Sequence, residues 1–169
     1  MSDANLKTIT KKYGNILVNG AEVFQDLKNM QTIPVSPALD YSLGGGFREG
    51  TWIQMIGDPK SGKTTLALQF AATCQKKEYG SRPIFYVNVE GRLSTKNFEG
   101  VEGLQADKIT VVQSENETLS AEQYLGAVEK LVKAYPNCVV IIDSISSLIA
   151  QRDLDEEVRG DYRPGGPRI

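Results

Sequence analysis

The chain of 169 residues contains no histidine, which excludes Ser-His and Cys-His catalysis, so any general base must be a carboxylate or a lysine. Its two cysteines, Cys74 and Cys138, fall in a predicted helix and a predicted strand, and we expect reduced, buried thiols rather than a zinc site. No apolar run approaches the roughly 18 residues of a membrane span. The first residues lack the basic-then-apolar layout of a signal peptide. We therefore expect a cytoplasmic protein without a membrane partner.

Strong charge of either sign is also missing. The net charge is -2 and the pI is about 5.3, so nothing global indicates a nucleic-acid partner. A few arginines on a loop can still suffice for nucleic acid when many subunits act together. The hydrophobic share of 40% and the charged share of 24% are typical of a globular protein, and the length fits one domain.

A phosphate-binding loop is the most informative pattern in the sequence, because residues 57–65 fit G-x-x-x-x-G-K-[ST]. The apolar residues 52–56 before it predict a buried strand, and the residues after it predict a helix to about Lys76. Such a loop directs several backbone N–H groups to one point, and the following helix adds the positive end of its dipole. Without that context the match would indicate only a turn. We predict a nucleoside triphosphate site formed by Gly57, Asp58, Pro59, Lys60, Ser61, Gly62, Lys63, Thr64 and Thr65. In it, Lys63 would reach the β and γ phosphates, and the Thr64 hydroxyl would ligate Mg²⁺.

The regions before the loop predict helices and a connector. Residues 5–13 predict a short helix with one apolar stripe. Residues 15–31 read as a linker in which Ile16, Val18, Val23 and Phe24 are possible anchors. Ser36 and Pro37 predict the start of a helix that ends at a triple glycine.

The regions after the loop alternate between strands and helices. Strands are predicted at residues 83–89, 108–113 and 138–142, and Ser120 with Gln123 predicts a capping box on an amphipathic helix. A short helix is expected at residues 144–150, and a charged tail without a regular pattern follows. This order predicts an α/β fold with a parallel sheet flanked by helices on both sides. Ligands of such sheets lie at the carboxyl ends of the strands, where Gly57, Glu90 and Asp143 fall.

Two carboxylates complete the candidate site. Asp143 ends an apolar strand and would bind Mg²⁺ mainly through the water held by Thr64, the alternative being a cap for the helix that begins at Ser144. Glu90 is the candidate base that orients the attacking water. It lies two residues beyond Asn88 and is expected to point the same way. A solvated turn carboxylate is an equal reading from spacing alone.

Four stretches together resemble the ATPase core of the RecA recombinase family. The N-terminal region more loosely resembles that family's oligomerisation helix and linker, and residues 152–161 resemble the segment that leads into its first DNA-binding loop. The stretches of the core are residues 33–46, 57–65, 85–90 and 139–148. The resemblance implies three regions: an oligomerisation helix and linker at 1–32, a RecA-like P-loop ATPase core at 33–150, and the start of a flexible DNA-binding loop region at 151–169.

The resemblance implies a single-stranded-DNA-dependent ATPase of homologous recombination and DNA repair, which uses ATP and Mg²⁺ and forms nucleoprotein filaments for strand exchange. By position, Lys63 and Thr64 hold phosphates and Mg²⁺, Asp143 is the Walker B carboxylate, and Glu90 is the catalytic base. Arg159, Gly160 and Arg163 would face single-stranded DNA. The alternative for these last three is a disordered charged tail.

The sequence departs from the family pattern in three ways. Asn97 stands where relatives often place an aromatic residue over adenine, and adjacent Phe98 is a possible substitute. Asn88 replaces a common aspartate, which removes expected support for the metal. The chain stops at Ile169, before the remaining core strands, the glutamine that senses the γ-phosphate and the second DNA-binding loop. It therefore reads as the N-terminal portion of a recombinase, and its expected partners are other subunits of a filament or a C-terminal half.

Two other functions remain open from the sequence. One is another RecA-like P-loop ATPase, of the ring helicase or clock type. The other is a truncated nucleotide-binding module that joins an assembly without hydrolysing ATP. A small-molecule kinase is less favoured, because no arginine-rich, lid-like insertion follows the core strands.

Overall fold

The computed structural model describes residues 3–14, 17–114 and 118–158. Seven α-helices and five strands occur within these residues, joined by 3-10 turns at Lys77–Tyr79, Ala106–Lys108 and Ile145–Ser147. In chain order the elements are α1 (Asp3–Tyr13), α2 (Gly20–Asn29), β1 (Thr32–Ile33), α3 (Pro37–Leu43), β2 (Phe47–Arg48), α4 (Lys63–Cys74), β3 (Ile84–Asn88), α5 (Thr95–Glu99), β4 (Ile109–Val112), α6 (Ala121–Ala134), β5 (Val139–Asp143) and α7 (Gln151–Val158).

The centre of the fold is a three-stranded parallel sheet in the order β4-β3-β5. Every residue of β3 is buried, as expected for a strand with a neighbour on each edge and helices on both faces. The register pairs Ile84 with Ile109 on one side and with Val139 on the other. At the carboxyl end, Asn88 pairs with Asp143. The predicted α/β fold with a flanked parallel sheet is confirmed.

The two faces of the sheet carry separate apolar clusters. Ile84 and Tyr86 pack towards α4, and with Leu68, Ala71, Ala72 and Cys74 they form the clusters under that helix. Val87 packs on the opposite face with Tyr124 and Val128 of α6. Burying one large apolar side chain stabilises a fold by about 1.5–3 kcal/mol. These clusters therefore fix β3 and β5 against α4, which carries the phosphate loop at its N-terminus.

Helix α6 begins with the predicted capping box. Ser120 Oγ accepts from the Gln123 backbone N–H at 3.2 Å, and Gln123 Oε1 accepts from the Ser120 N–H at 2.8 Å. The helix then buries Tyr124 and Val128, while Leu125 and Val132 of the predicted apolar face remain exposed.

A small antiparallel hairpin, β1 with β2, lies beside α4. Phe47 of β2 packs edge-on against Phe70 with ring centroids 5.1 Å apart. Gly46 precedes the second strand with φ of 128°, and a Cβ there would lie 2.1 Å from the Ile33 carbonyl oxygen. Only glycine fits this position, so the last glycine of the triple-glycine run is required by the backbone.

The predicted strand at residues 52–56 is absent. Residues 51–57, which we call the leading segment, form no strand and no helix. Trp52 and Ile56 are each 86% exposed. β5 pairs only with β3, so among the described residues no strand lies along its other edge. The residues of the leading segment are mostly apolar, as a buried strand requires, but the described residues provide no sheet neighbour that would bury them.

Three other expectations are corrected. The linker at residues 15–31 contains helix α2, and Val18, Val23 and Phe24 are exposed rather than anchored, while Ile16 lies outside the described residues. The start of the charged tail forms helix α7. The helix predicted at 144–150 is only the 3-10 turn at Ile145–Ser147.

Both cysteines are free thiols. Cys74 is buried in α4, and burial raises its pKa to about 12. Cys138 is half-buried and lies one residue before β5, where burial also raises its pKa. Both thiols are therefore protonated at neutral pH. Cys74 is buried in a helix as predicted, whereas Cys138 is only half-buried and lies just before the strand. Within the described residues, no helix is long and apolar enough to cross a membrane.

Candidate functional site

The phosphate loop has a compact backbone with exposed amides. Lys60 and Gly62 adopt positive φ of 65° and 94°, and the Ser61 N–H donates to the Asp58 carbonyl at 3.2 Å. A Cβ on Gly57 would lie 2.9 Å from Ser61 Oγ, so a larger residue there would force the Ser61 side chain to move. Helix α4 begins immediately after Gly62, which places the positive end of a 12-residue helix at the loop. The loop can therefore receive an anion through backbone N–H groups.

Lys63 directs its ammonium group back into the loop. Its Nζ donates to the carbonyl oxygens of Gly57 and Asp58, each at 2.8 Å. These acceptors are exposed and neutral, so they are weaker partners than a phosphate oxygen. The cation is thus held at the loop mouth by bonds that an arriving phosphate can replace.

Thr64 and Asp143 join the loop to the sheet. Thr64 Oγ1 donates to Asp143 Oδ2 at 2.7 Å, across 79 positions of sequence. The sheet explains this contact, because Asp143 ends β5 and α4 packs directly over that strand. Two residues that the sequence assigned to one metal site are therefore in contact.

The hydroxyl of Tyr86 reaches the same carboxylate. It donates to Asp143 Oδ2 at 2.6 Å, so that oxygen accepts two hydrogen bonds. Tyr86 is only 1% exposed, and its ring packs edge-on against Phe98 with centroids 6.5 Å apart. Burial, reinforced by the hydrogen bond to Asp143, raises the pKa of Tyr86 well above its usual range. The hydroxyl therefore stays protonated and acts as a donor.

Glu90 lies beside Asp143 at the carboxyl end of the parallel strands. Its Oε1 accepts from Ser144 Oγ at 2.7 Å and from Ser147 Oγ at 3.1 Å. Its Oε2 lies 3.4 Å from the guanidinium of exposed Arg92. Ser144 bonds to Glu90 through its side chain and follows Asp143 directly in the chain. This one serine therefore connects Glu90 to the residue that carries the other carboxylate. Glu90 is thus held in a polar cluster, which disagrees with the reading of a freely solvated turn residue.

Backbone hydrogen bonds also connect the residues after β3 to the end of β5. The carbonyl oxygen of Asp143 accepts from the N–H groups of Val89 and Glu90 at 3.1 and 3.4 Å. Glu90 therefore leaves β3 while its backbone is still tied to the end of β5.

Asn88 does not point with Glu90, contrary to the expectation. Its Nδ2 donates to Gln113 Oε1 at 2.9 Å, on the β4 side, whereas Glu90 bonds to serines after β5. The strand ends at Asn88, so the alternation of side chains stops before Glu90.

Asn97, which replaces the family's aromatic residue, and Phe98, its possible substitute for contact with adenine, both have structural partners. Asn97 completes the capping box of α5 by accepting from the Ser94 N–H at 2.9 Å. Phe98 packs into the cluster around Leu68 and Tyr86. Its ring is partly buried and contributes to the core under α4.

The residues present fit Mg²⁺ with a nucleoside triphosphate. Mg²⁺ prefers hard oxygen ligands and is usually held by one or two carboxylates together with substrate phosphates and water. Thr64 and Asp143 supply one hydroxyl and one carboxylate at contact distance. Over the described parts of the chain, no three His, Cys, Asp or Glu side chains cluster as a metal cage. The donor set thus suits a metal that arrives with phosphate and is poor for zinc or a redox metal.

The predicted DNA-contacting residues Arg159, Gly160 and Arg163 lie outside the described residues. Helix α7 ends immediately before them, at Val158.

Sequence reasoning missed Tyr86, Ser144 and Ser147. The alternation of β3 and β5 contained a signal for Tyr86, because Tyr86, Ile141 and Asp143 fall on the face that packs under α4. No comparable signal marked the serines, whose positions depend on the turn at Ile145–Ser147.

Comparison with known proteins agrees with this geometry. The model of the RecA N-terminal domain matches residues 1–166. The chain is similar to Protein RecA of Nitratidesulfovibrio vulgaris, with 35% identity over 166 residues, which is 95% of this chain and 43% of the relative. Protein RecA of Enterococcus gallinarum is 34% identical over 167 residues, covering 96% of the chain and 44% of the relative. Protein RecA of Bifidobacterium breve is 33% identical over 143 residues, covering 83% and 34%.

The chain thus spans less than half the length of these curated relatives. The family match covers nearly all of it, including the phosphate loop, the three parallel strands and both carboxylates. The chain belongs to the RecA N-terminal domain family.

Proposed function

We propose that this chain binds ATP with Mg²⁺ and provides the nucleotide-binding portion of a RecA-type recombinase. The complete assembly would be a cytoplasmic, single-stranded-DNA-dependent ATPase that forms filaments for strand exchange in recombination and DNA repair. The observation that carries the proposal is the 2.7 Å contact between Thr64 and Asp143. It joins a phosphate loop to a carboxylate at the end of a neighbouring strand, which is the arrangement that a Mg²⁺-bound triphosphate needs.

Each residue of the site has a defined part in this proposal. The amides of residues 57–65 and the ammonium of Lys63 receive the β and γ phosphates, for which Lys63 leaves the carbonyls of Gly57 and Asp58. Mg²⁺, when bound, neutralises charge on the transferring phosphoryl group. Thr64 and Asp143 hold the metal and its water. Glu90, kept in place by Ser144 and Ser147, orients the attacking water.

The exposed leading segment supports a second part of the proposal: on its own, the chain binds ATP without efficient turnover. Residues 51–57 lead directly into the phosphate loop, yet they expose Trp52 and Ile56, and none of the described strands pairs with them. We propose that the remaining part of a RecA-type polypeptide, joined to this chain or separate, covers them. This favours the non-hydrolysing module for the chain alone, and hydrolysis for the completed assembly. A ring-forming ATPase would complete the site in the same way, and electron microscopy with ATP and DNA distinguishes rings from filaments.

Contact with DNA is proposed for Arg159, Gly160 and Arg163, since they follow α7 in the region expected to lead into a DNA-binding loop. Lysine and arginine contacts to phosphate make binding strongly dependent on salt. In the completed assembly, replacing Arg159 and Arg163 with alanine should weaken ATP-dependent binding to single-stranded DNA and flatten its salt slope. Fluorescence anisotropy at two salt concentrations measures both quantities, and identical values for the two proteins would remove these residues from the interface.

The test of ATP binding is calorimetry on the chain with and without Lys63→Ala. We expect the substitution to weaken ATP·Mg²⁺ binding by about 3 kcal/mol, or roughly 100-fold, because a charge-assisted contact to phosphate is lost. The control is Lys76→Ala, which removes an exposed lysine beyond the other end of α4 and should leave the affinity unchanged. Equal affinity of the wild type and Lys63→Ala would contradict the proposed function.

A further inference from the structure

Tyr86 stands out because it places a polar group inside an otherwise apolar cluster. Its ring lies among Leu68, Ala72 and Val101 and packs edge-on against Phe98. Phenylalanine would fill the same space, so packing alone does not require the hydroxyl. A buried hydroxyl is costly unless it has a hydrogen-bond partner, and here the partner is Asp143 at 2.6 Å.

Both side-chain hydrogen bonds to the Asp143 carboxylate go to the same oxygen, Oδ2. Thr64 Oγ1 reaches Oδ2 from the start of α4, and the Tyr86 hydroxyl reaches the same oxygen from β3 in the middle of the sheet. Among the described residues no donor reaches Oδ1. A carboxylate that is fixed through one oxygen by donors from two elements keeps the other oxygen available in a defined orientation.

Tyr86 is the more rigid of the two donors. It is 1% exposed and belongs to a strand with neighbours on both edges, whereas Thr64 lies in the first turn of α4, next to an exposed loop. A threonine oxygen that ligates a cation must also adjust to that cation. The hydroxyl of Tyr86 therefore does more than that of Thr64 to fix the orientation of the Asp143 carboxylate.

We propose that Tyr86 is a positioning residue for the divalent cation, acting through Asp143: its hydroxyl fixes Oδ2 so that Oδ1 faces the hydration shell of Mg²⁺. This inference rests on the proposed binding of ATP with Mg²⁺. It assigns to Tyr86 a role that differs from core packing, because the ring supplies the packing and the hydroxyl acts on the metal.

The test compares Tyr86→Phe with Tyr124→Phe. Both remove one hydroxyl from a buried tyrosine, but Tyr124 packs with Val87 and Val128 on the opposite face of the sheet. The measurement is the Mg²⁺ concentration that half-saturates the binding of a fluorescent ATP analogue. We expect Tyr86→Phe to raise it about 10-fold, the lower end of the effect of losing an outer-shell partner of a metal site. Binding measured in EDTA should be equal in all proteins, and Tyr124→Phe should match the wild type.

An unchanged Mg²⁺ requirement in Tyr86→Phe would overturn the inference while leaving ATP binding intact. A weaker affinity in EDTA with no change in the Mg²⁺ requirement would also overturn it, since that result indicates a packing role. If the wild type binds no nucleotide under any condition, the proposed function fails separately, and a second measurement decides whether Tyr86 holds Asp143.

That second measurement is urea unfolding of four proteins: the wild type, Tyr86→Phe, Asp143→Ala and the double variant. We expect Tyr86→Phe to lower the midpoint in the wild-type background and to leave it unchanged or raise it in the Asp143→Ala background, where the hydroxyl has lost its acceptor. An equal decrease in both backgrounds would show that the hydroxyl acts independently of Asp143 and would overturn the inference.

Discussion

β3 and the leading segment are both apolar stretches that lead into residues of the candidate site, yet their environments differ completely. β3 has a parallel neighbour on each edge, and all its residues are buried. The leading segment, residues 51–57, has no strand partner in the described part of the chain, and its Trp52 and Ile56 are 86% exposed. The first leads to Glu90 and the second to the phosphate loop.

The difference shows that an apolar run predicts a strand only where neighbours exist to pair with its backbone and cover its side chains. β3 receives them from this chain, through β4, β5, α4 and α6. The positions of Glu90 and Asp143 therefore follow from packing within the chain. The described residues give the leading segment no such support, and an exposed apolar stretch of this kind is typical of an interaction surface.

The largest expected effect separates the two regions by stability. Ile84→Ala in β3 should lower the free energy of unfolding by about 2–5 kcal/mol, because it leaves a cavity at a fully packed position. Ile56→Ala in the leading segment makes the same chemical change at an exposed position and should cost about 0.5 kcal/mol or less. Urea unfolding monitored by circular dichroism measures both. Similar losses from the two variants would mean that the leading segment is packed in solution.

The second effect concerns Glu90, the carboxylate that follows β3. In an assembly that hydrolyses ATP, made with the remaining part of a RecA-type polypeptide, Glu90→Gln should lower turnover by about 100-fold or more and leave ATP binding nearly unchanged. The reason is that glutamine keeps the size of the side chain but cannot accept a proton. Steady-state turnover and calorimetry give the two values, with exposed Glu102→Gln as the control. Normal turnover in Glu90→Gln would make Glu90 a bystander.

The smallest effect concerns the anchor where the leading segment begins. Glu49 Oε2 accepts from the Gln31 N–H at 2.7 Å, and its other oxygen pairs with Arg82, just before β3. The backbone hydrogen bond from Gln31, together with Arg82, lowers the pKa of Glu49 although partial burial opposes this. A lowered pKa favours the ionised form in the folded state. Its contribution to stability is therefore present above the unfolded value of 4.5 and is lost as the pH falls through the folded pKa.

Glu49→Gln should accordingly cost about 1 kcal/mol or less at pH 7, and the difference from the wild type should shrink as the pH falls below about 4.5. Urea unfolding at pH 7 and pH 3.5 tests this. The control is Glu102→Gln, whose carboxylate has no ion-pair partner in the described part of the chain. A difference that grows in acid would contradict the assignment of Glu49.

Local rules accounted for most of the fold. The capping box at Ser120 with Gln123 and the helix after the phosphate loop depend on neighbours in sequence, and both were confirmed. Three of the four predicted apolar strands were also confirmed, because the chain supplies their neighbours in the sheet. Helix α2 was not predicted, because its apolar residues Val23 and Phe24 do not face the core. The leading segment was misread because burial depends on partners that the local sequence does not contain.

The same distinction applies to the site. The phosphate-loop pattern and the strand-end position of Asp143 predicted their proximity, which the contact with Thr64 bears out. The hydrogen bonds from Tyr86, Ser144 and Ser147 depend on side-chain directions set by packing and by one short turn. Strand alternation placed Tyr86 on the same face of the sheet as Asp143, but no sequence pattern singled out the two serines.

The most direct test of the account uses Trp52, the single tryptophan of the chain. The measurement is its emission maximum and acrylamide quenching, alone and with a tryptophan-free version of the part of Nitratidesulfovibrio vulgaris Protein RecA that lies beyond the match, while ATP turnover is followed in the same samples. We expect a solvent-exposed Trp52 without turnover in the isolated chain, and a blue-shifted, protected Trp52 with the appearance of turnover in the complex. A Trp52 that is already protected in the isolated chain, or that stays exposed in a complex that hydrolyses ATP, would contradict this expectation.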